Sequence, residues 1–474
     1  MLVIGGTHSG CGKSTVTLGL LAALKRFGHT VQPFKSGPDF IDAGLHGMLA
    51  GRLSRNLDIW MCGEDYVLDC ARRHTAGAGL GVVEGVMGLF DGADRSTAAL
   101  ARLLGANIVL VVDACGMAES AGAVVGGFCN YDECGGAIKG VIFNRVSSRG
   151  HYERLKDSLR EVEAVGWLPR DAAYSIPSRH LGLAVAEEAP LGEGALKKLA
   201  DAVIEGLDLE KIAGLARVAG PAGTKTLHPA ACERTLHQAR PSRSGEAEVR
   251  IALARDKAFC FYYEDNLDML RAAGARLIPF SPLSDRYLPE GLDAIYLGGG
   301  YPEVYAGELA GNKTMLGAIR DWAMAGGPVF AECGGFMYLG RGIWHDGRFH
   351  PLCDVFPIET ALSERPVLGY REATLSFDCI LGREGEKLRG HEFHYSRVVE
   401  SGRQPGVRFN VMGEETISGN ISSASFGAAL GGYTHLHLGS NPQTAGRMVE
   451  FIRRRQKKAV EDATAQGAAA KWKA

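Results

Sequence analysis

Short, continuous apolar runs alternate with amphipathic stretches along most of the chain. In the first half the apolar runs cover residues 1–4, 30–34, 81–84, 108–113 and 137–144, and the amphipathic stretch 15–27 separates the first two. Apolar runs without polar alternation are typical of parallel strands that are buried on both faces of a sheet. Strands joined by helices predict a doubly wound α/β domain.

A polar segment divides this pattern from a second one. Residues 217–248 contain three prolines and show no periodicity, which predicts a linker. Beyond it, strands are expected at 249–254, 276–280 and 294–297, with a helix at 264–273. The charged, alanine-rich end predicts a final helix that frays. We therefore divide the chain into a first domain (1–216), a linker (217–248), a second domain (249–455) and a tail (456–474).

Composition narrows the classes of protein that are compatible with this organisation. The chain has 474 residues, of which 64 are glycine, as expected for an α/β enzyme with many tight turns. Its 52 basic and 54 acidic side chains leave a net charge of −2, so we expect no nucleic-acid partner. It has neither a charged leader followed by an apolar core nor an apolar run of about 18 residues, so we expect no signal peptide and no membrane span. The 11 cysteines include no C-x-x-C pair, which argues against a disulfide framework and favours the reducing cytoplasm.

The loop after the first apolar run has the chemistry of a phosphate-binding site. Its sequence is GTHSGCGKST (6–15), which departs from the strict pattern only by a shift of the first glycine. Gly10 and Gly12 would let backbone N–H groups turn toward phosphate oxygens at the start of a helix that includes Thr15. Lys13 would reach the β- and γ-phosphates, and Ser14 would bind Mg²⁺. The alternative is a glycine-rich turn that merely connects strand and helix.

Two further strand ends carry charged side chains that suit the same site. The segment KSGPDFID (35–42) follows the second apolar run, and VVEGVMGLFDG (82–92) completes the third. Lys35 could neutralise charge that develops on a transferred phosphoryl group. Asp39, Asp42 and Glu84 could join Ser14 around Mg²⁺. A polar turn and a plain strand end are the alternatives.

The second domain contains a cysteine in the setting of a nucleophile. In PVFAECGGFMYL (328–339), Cys333 lies at a sharp turn between a strand and a helix, with its sulfur expected to be exposed. The helix N-terminus would lower the thiol pKa from about 8.5. The N–H of Gly334, together with the glycine turn at Gly299 and Gly300, would stabilise an oxyanion. A buried structural cysteine and a flexible loop are the alternatives.

A histidine pair near the end of the domain could supply the base for this cysteine. In GYTHLHLGSNP (432–442), His435 and His437 would share one face of a strand, and either could act. A third histidine-containing segment, GHEFHYS (390–396), does not have metal-ligand spacing, because His391 and His394 would face opposite sides of a strand. Its aromatic side chains could stack on a flat macrocycle or simply pack in the core.

These motifs together resemble a known family. The phosphate loop is similar to that of the dethiobiotin-synthetase and nitrogenase-iron-protein branch. With FKSGPDFID and VVEGVMGLFDG, it resembles the cobyrinic acid a,c-diamide synthase family. In that branch an asparagine after a late strand recognises adenine, a role that the resemblance gives to Asn144. The second half resembles the cobyrinate/cobyrate type of class I glutamine amidotransferase, in which a Tyr-x-His motif favours His435. The glutamate that commonly follows this histidine by two residues is absent.

The resemblance implies a dethiobiotin-synthetase-like P-loop domain followed by a class I glutamine amidotransferase domain. It implies ATP- and glutamine-dependent amidation of the a and c carboxylates of cobyrinate through an acyl phosphate, in cobalamin biosynthesis, with Mg²⁺. Nickel-sirohydrochlorin or hydrogenobyrinate would be alternative substrates, and the related cobyric acid synthase fits less well. A partitioning-type nucleotide-switch ATPase is an alternative of another class, but it would have no use for Cys333. The expected partners are small molecules, and a homodimer is compatible with the sequence.

Overall fold

The chain divides into two units, Met1–Leu227 and His228–Ala474. The computed structural model describes residues 1–131, 136–171, 178–179, 182–183, 186, 192–217, 248–412 and 421–471. The predicted linker, except for its two end residues, lies outside these ranges. Within them, no helix is both long and apolar enough to cross a bilayer.

The first unit is built on a parallel sheet with the order β3-β2-β4-β1-β5-β6-β7. Its strands are β1 (Leu2–Gly6), β2 (Val31–Ser36), β3 (Arg55–Leu57), β4 (Leu80–Glu84), β5 (Asn107–Asp113), β6 (Ile138–Val146) and β7 (Ala164–Pro169), with a separate antiparallel pair β8 (Ser178–Arg179) and β9 (Gly182–Leu183). Its helices are α1 (Lys13–Arg26), α2 (Phe40–Ala50), α3 (Ile59–Cys62), α4 (Glu64–Thr75), α5 (Thr97–Leu104), α6 (Ser120–Asn130), α7 (Arg149–Asp157), α8 (Glu193–Gly206) and α9 (Leu209–Ala216).

The central strand positions the phosphate loop. All five residues of β1 are buried, and they pair with parallel neighbours on both sides. Val16 and Leu20 of α1 pack in the same apolar core as Leu2 and Ile4. The loop between β1 and α1 therefore lies at the carboxyl edge of the sheet, where open α/β sheets bind ligands.

The second unit contains two sheets. The larger has the order β11-β10-β12-β13-β20-β19-β18, parallel except for its last two strands, and the smaller has the order β15-β14-β16-β17-β21. The strands are β10 (Val249–Ala254), β11 (Ala275–Phe280), β12 (Ala294–Leu297), β13 (Val329–Glu332), β14 (Gly342–His345), β15 (Arg348–Pro351), β16 (Ile358–Thr374), β17 (Lys387–Ser401), β18 (Val407–Phe409), β19 (Ser423–Phe426), β20 (Ala429–Gly432) and β21 (His435–Leu436). The helices are α10 (Glu264–Ala272), α11 (Ala306–Gly311), α12 (Lys313–Met324), α13 (Gly334–Tyr338) and α14 (Thr444–Lys471).

The smaller sheet brings distant parts of the chain together. Its two long strands, β16 and β17, form an antiparallel pair, and β17 also pairs with β21. In that register His391 lies opposite His435. The predicted tail belongs to α14, whose backbone continues through Lys471.

Candidate active sites

Two positions of the phosphate loop require glycine, and one of them does so for a second reason as well. Gly10 and Gly12 have φ values of 85° and 96°, in the left-handed region that favours glycine. A Cβ on Gly12 would also lie 2.0 Å from Nδ2 of Asn144. Gly12 is the N-cap of α1, so the free N–H groups of the first helical turn, around Ser14 and Thr15, begin at this point.

Lys13 and Asn144 both lie against this loop. The Lys13 ammonium group donates to the carbonyl oxygens of Met87 at 2.5 Å and His8 at 3.4 Å. The Asn144 side chain donates through Nδ2 to the Cys11 carbonyl at 3.0 Å. Asn144, to which the family resemblance gives adenine recognition, contacts the loop itself in this structure.

A buried polar cluster joins three of the strand-end residues to the loop. Lys35 Nζ lies 2.5 Å from Oδ2 of Asp42 and 2.8 Å from Oε1 of Glu84. The Ser14 hydroxyl donates to the same Glu84 oxygen at 2.7 Å and to Asp42 at 3.3 Å. Although burial alone would lower it, these two carboxylates raise the pKa of Lys35 above its usual value. Lys35 therefore stays charged beside the loop.

The two carboxylates of this cluster have opposite proton affinities. Burial and the neighbouring carboxylates raise the pKa of Asp42, whereas Lys35 and His46 bring the pKa of Glu84 well below its usual value despite burial. His46, which the sequence analysis did not identify, places Nε2 at 2.7 Å from Oε2 of Glu84. Its only sequence signal is a position four residues after Asp42, on the same face of α2. Asp39 has a structural task, because its Oδ1 accepts from the Asp42 N–H and caps α2.

Cys333 lies at the predicted elbow between β13 and α13. Its φ and ψ of 47° and −102° are strained for a residue with a side chain, as expected at a nucleophile elbow. Its N–H donates to the Gly432 carbonyl at 2.7 Å. The predictions of an exposed sulfur and a lowered pKa are wrong for this state, since Cys333 is only 4% exposed and burial raises the pKa of its thiol.

The glycine turn between β12 and α11 lies directly against this elbow. A Cβ on Gly334 would lie 2.8 Å from Cδ of Pro302 and 3.1 Å from the backbone nitrogen of Gly300. The N–H of Gly334 also donates toward the Cys333 sulfur, which by itself lowers the thiol pKa. The oxyanion site predicted at Gly300 and Gly334 is therefore compatible with the close packing of these two turns.

Gly299 has a different task from the predicted one. Its N–H donates to the Phe261 carbonyl at 3.3 Å, so this group is engaged within the fold. A Cβ on Gly299 would lie 2.2 Å from Cε1 of His435. The absence of a side chain here lets the imidazole ring lie against the turn, which corrects the interpretation of Gly299 as an oxyanion donor.

The two candidate bases have different surroundings. The ring of His435 stacks on His391, with centroids 5.0 Å apart and planes 20° apart. His437 accepts the Gly439 N–H on Nδ1 at 3.1 Å, and its ring packs against Tyr263. Burial lowers the pKa of both, that of His437 to about 4. The contact with Gly299 places His435 on the turn that adjoins Cys333.

Two side chains without a predicted role fix the strand that carries this histidine. Glu332 accepts the Leu436 N–H at 2.8 Å and the Tyr296 hydroxyl at 2.7 Å. Asn266 donates to the Leu436 carbonyl and accepts from the Leu438 N–H, both at 2.7 Å. Burial raises the pKa of Glu332 to about 7. Neither residue has a motif that would reveal this task, because each acts on backbone groups far away in the sequence.

The first unit has the fold and phosphate loop of a P-loop domain, and the second has the fold of a glutamine amidotransferase with a cysteine at its strand–helix elbow. Family models agree: residues 2–183 match the CobQ/CobB/MinD/ParA nucleotide binding domain, and residues 250–443 match the CobB/CobQ-like glutamine amidotransferase domain. The chain belongs to the cobyrinate a,c-diamide synthase family, as relatives that match 95% or more of its length show.

The relatives on which this assignment rests match almost from end to end. The cobyrinate a,c-diamide synthase of Syntrophotalea carbinolica is 43% identical over 95% of this chain and 98% of its own length. The enzyme of the same name from Listeria monocytogenes is 39% identical, over 96% and 99%. The hydrogenobyrinate a,c-diamide synthase of Streptomyces coelicolor is 38% identical, over 95% and 97%.

Proposed function

We propose that this protein uses ATP and glutamine to convert the a and c carboxylates of cobyrinate to amides, as a carbon–nitrogen ligase of cobalamin biosynthesis. The observation that carries the proposal is the presence of two complementary sites on one chain. One has the groups for phosphoryl transfer, and the other has a cysteine elbow and a histidine that lie against the same glycine turn. The relatives named for this reaction support it. Its dependence on ATP and a reduced thiol suits the cytoplasm.

The first unit activates the substrate. A carboxylate is a poor electrophile, so its oxygen first attacks the γ-phosphorus of ATP, giving an acyl phosphate and ADP. Lys13 and Lys35 stabilise negative charge on the transferred phosphoryl group. Ser14, Asp42 and Glu84 offer one hydroxyl and two carboxylates, an oxygen set that suits Mg²⁺, and these residues would hold it. When bound, the ion would neutralise phosphate charge.

The second unit releases ammonia from glutamine. His435 takes the proton of the Cys333 thiol as the sulfur attacks the side-chain amide carbon, and the N–H groups of Gly300 and Gly334 stabilise the oxyanion. His435 then returns the proton to the departing nitrogen, which leaves as ammonia, and water hydrolyses the thioester to glutamate. Ammonia displaces phosphate from the acyl phosphate and forms the amide.

Mass spectrometry of the reaction products tests this function. Cobyrinate, hydrogenobyrinate and nickel-sirohydrochlorin are each incubated with the protein, ATP, Mg²⁺ and glutamine. We expect conversion of two carboxylates to amides on cobyrinate. Preferential diamidation of hydrogenobyrinate, the substrate that the Streptomyces relative's name indicates, would change the substrate but keep the reaction. Failure with all three tetrapyrroles would refute the proposal.

A Cys333→Ala variant separates the two half-reactions. It should form no amide with glutamine but should retain amidation when an ammonium salt replaces glutamine, because only the sulfur is removed. Glutamine-dependent amidation by this variant would show that Cys333 is not the nucleophile. A nucleotide switch of the partitioning type would hydrolyse ATP without forming amide from either nitrogen donor.

A further inference from the structure

Three carboxylates act on the thiol of Cys333, and two of them have partners within the fold. Glu303, Glu332 and Glu392 each raise the pKa of the thiol. Glu332 accepts from a tyrosine hydroxyl and a backbone N–H, as described above. Glu392 forms an ion pair with Arg371 at 3.0 Å and accepts from the Thr434 hydroxyl at 3.4 Å. These two therefore have structural explanations.

Glu303 has no comparable partner. It is only 6% exposed, and its carboxylate receives its own backbone N–H. No lysine, arginine or histidine of the described ranges forms an ion pair with it. Burial accordingly raises its pKa to about 7. A buried carboxylate without a cation is costly, and such groups concentrate at functional sites.

The position of Glu303 relates it to the substrate of this unit. It follows Pro302 directly, and Pro302 is the residue that a Cβ on Gly334 would meet at 2.8 Å. Glu303 thus lies at the end of the glycine turn that adjoins the nucleophile. Its electrostatic effect on the thiol is the largest among the three carboxylates. The turn therefore places a buried carboxylate in the neighbourhood of the thiol that the proposed reaction uses.

We propose that Glu303 binds the α-ammonium group of glutamine and thereby selects an amino acid over a simple amide. This inference rests on the proposed function in that glutamine is the nitrogen donor. Glutamine has one permanent cation, and an ion pair with a buried carboxylate neutralises both charges. The pair would also orient the side-chain amide toward Cys333. Glu303 is a specificity residue, since it touches the substrate away from the reacting atoms.

The test compares L-glutamine with 4-carbamoylbutanoate, which has hydrogen in place of the α-amino group. Glutamate or glutarate release is measured with wild type, Glu303→Gln and, as a matched control, Glu308→Gln, which changes an exposed residue of α11. We expect Glu303→Gln to raise KM for glutamine by about 10- to 100-fold, the equivalent of one lost charge-assisted hydrogen bond. For the analogue, kcat/KM should stay within about twofold of wild type. Glu308→Gln should behave as wild type with both compounds.

Two results would overturn the role of Glu303. One is an unchanged KM for glutamine, and the other is an equal loss with both compounds, which would mean a task in catalysis or in holding the turn. The wild-type protein gives a second test that does not depend on the folding of a variant. Its kcat/KM for glutamine should exceed that for the analogue by at least about tenfold. Equal use of the two compounds by wild type would also refute the proposal.

A separate readout distinguishes this failure from failure of the proposed function. Amidation of the tetrapyrroles with an ammonium salt and ATP should be the same in Glu303→Gln and wild type. If wild type hydrolyses glutamine but amidates no tetrapyrrole, the proposed reaction fails and the comparison of the two amides still decides the role of Glu303. If wild type hydrolyses no glutamine, even with ATP and each tetrapyrrole present, both proposals are wrong.

Discussion

Replacing Gly299 by alanine should disable glutamine hydrolysis while leaving ATP-dependent chemistry intact. The added Cβ would lie 2.2 Å from Cε1 of His435 and 3.1 Å from Nδ1, whereas ordinary contacts begin at 3.4 Å. The backbone of Gly299 is outside the left-handed region, so alanine causes no conformational strain there. The histidine ring is what the added methyl group meets first, because the three nearest atoms all belong to His435.

The ring has little freedom to retreat from the added methyl group. His391 stacks on it, and Glu332 holds the neighbouring Leu436 N–H at 2.8 Å. Relief of the contact requires a displacement of more than 1 Å, from 2.2 Å to at least 3.4 Å. A misplacement of about 1 Å can reduce a catalytic rate by about 10²-fold, or about 2.7 kcal/mol of activation free energy.

The assay measures glutamate release and, in parallel, amidation with an ammonium salt. Gly299→Ala should lose about two orders of magnitude in the first and nothing in the second. Gly317→Ala is the matched control, because a Cβ there meets nothing within 4 Å. Glutamate release at the wild-type rate would refute the assignment of His435 as the base and would favour His437. Loss of both activities would indicate a general folding defect.

Three further predictions concern other parts of the chain. Lys13→Ala should reduce amidation with either nitrogen donor by at least about 10²-fold, because the phosphoryl group loses its positive charge partner; a product assay that finds near-normal rates would contradict the phosphate-loop assignment. Asn266→Ala should lower the free energy of unfolding by about 3 kcal/mol in urea titrations, since it leaves two buried backbone groups unsatisfied, and a change under about 0.5 kcal/mol would exclude this task. When the pH is lowered from about 7.5 to about 5, the free energy of unfolding of His437→Gln should decrease by about 2 kcal/mol less than that of wild type. The pKa of His437 in the folded protein is lowered to about 4, so below about pH 6.5 the unfolded chain binds more protons than the folded one, and the free energy of unfolding decreases as the pH is lowered. An identical pH dependence in wild type and variant would refute this.

Features that are local in sequence could be predicted well. The strand predicted at 249–254, an apolar segment interrupted only by Arg250, has those bounds in the structure. The phosphate loop and the cysteine elbow are also local, because a strand, a turn and a helix follow each other within about 15 residues of chain. Gly10 and Gly12 by themselves indicate a backbone conformation that residues with a side chain avoid.

Features that depend on distant contacts could not be predicted in the same way. Large parts of β16 and β17 are exposed or half-buried, so their charged and apolar residues alternate irregularly. No clear period marks the two strands as a hairpin. His46 acquires its task only when α2 brings it to Glu84 of β4, and Glu332 only when β21 brings the Leu436 N–H to its carboxylate. The exposure of Cys333 was mispredicted for the same reason: the elbow is a local motif, but burial depends on everything packed around it.

Burial of the cysteine and histidine together has a chemical consequence for the resting enzyme. A low-dielectric environment raises the pKa of the Cys333 thiol and lowers that of His435, so both changes favour the neutral pair over a thiolate–imidazolium pair. In the proposed reaction, sulfur attack then requires proton transfer within the substrate complex, where negative charge would move from sulfur to the glutamine oxygen and the backbone N–H groups of Gly300 and Gly334 would stabilise it. The same burial that makes the free thiol a poor nucleophile strengthens these hydrogen bonds once the charge has formed. The thiol is thereby spared from reaction without substrate, because the Gly334 N–H favours the thiolate but does not offset burial and the nearby carboxylates.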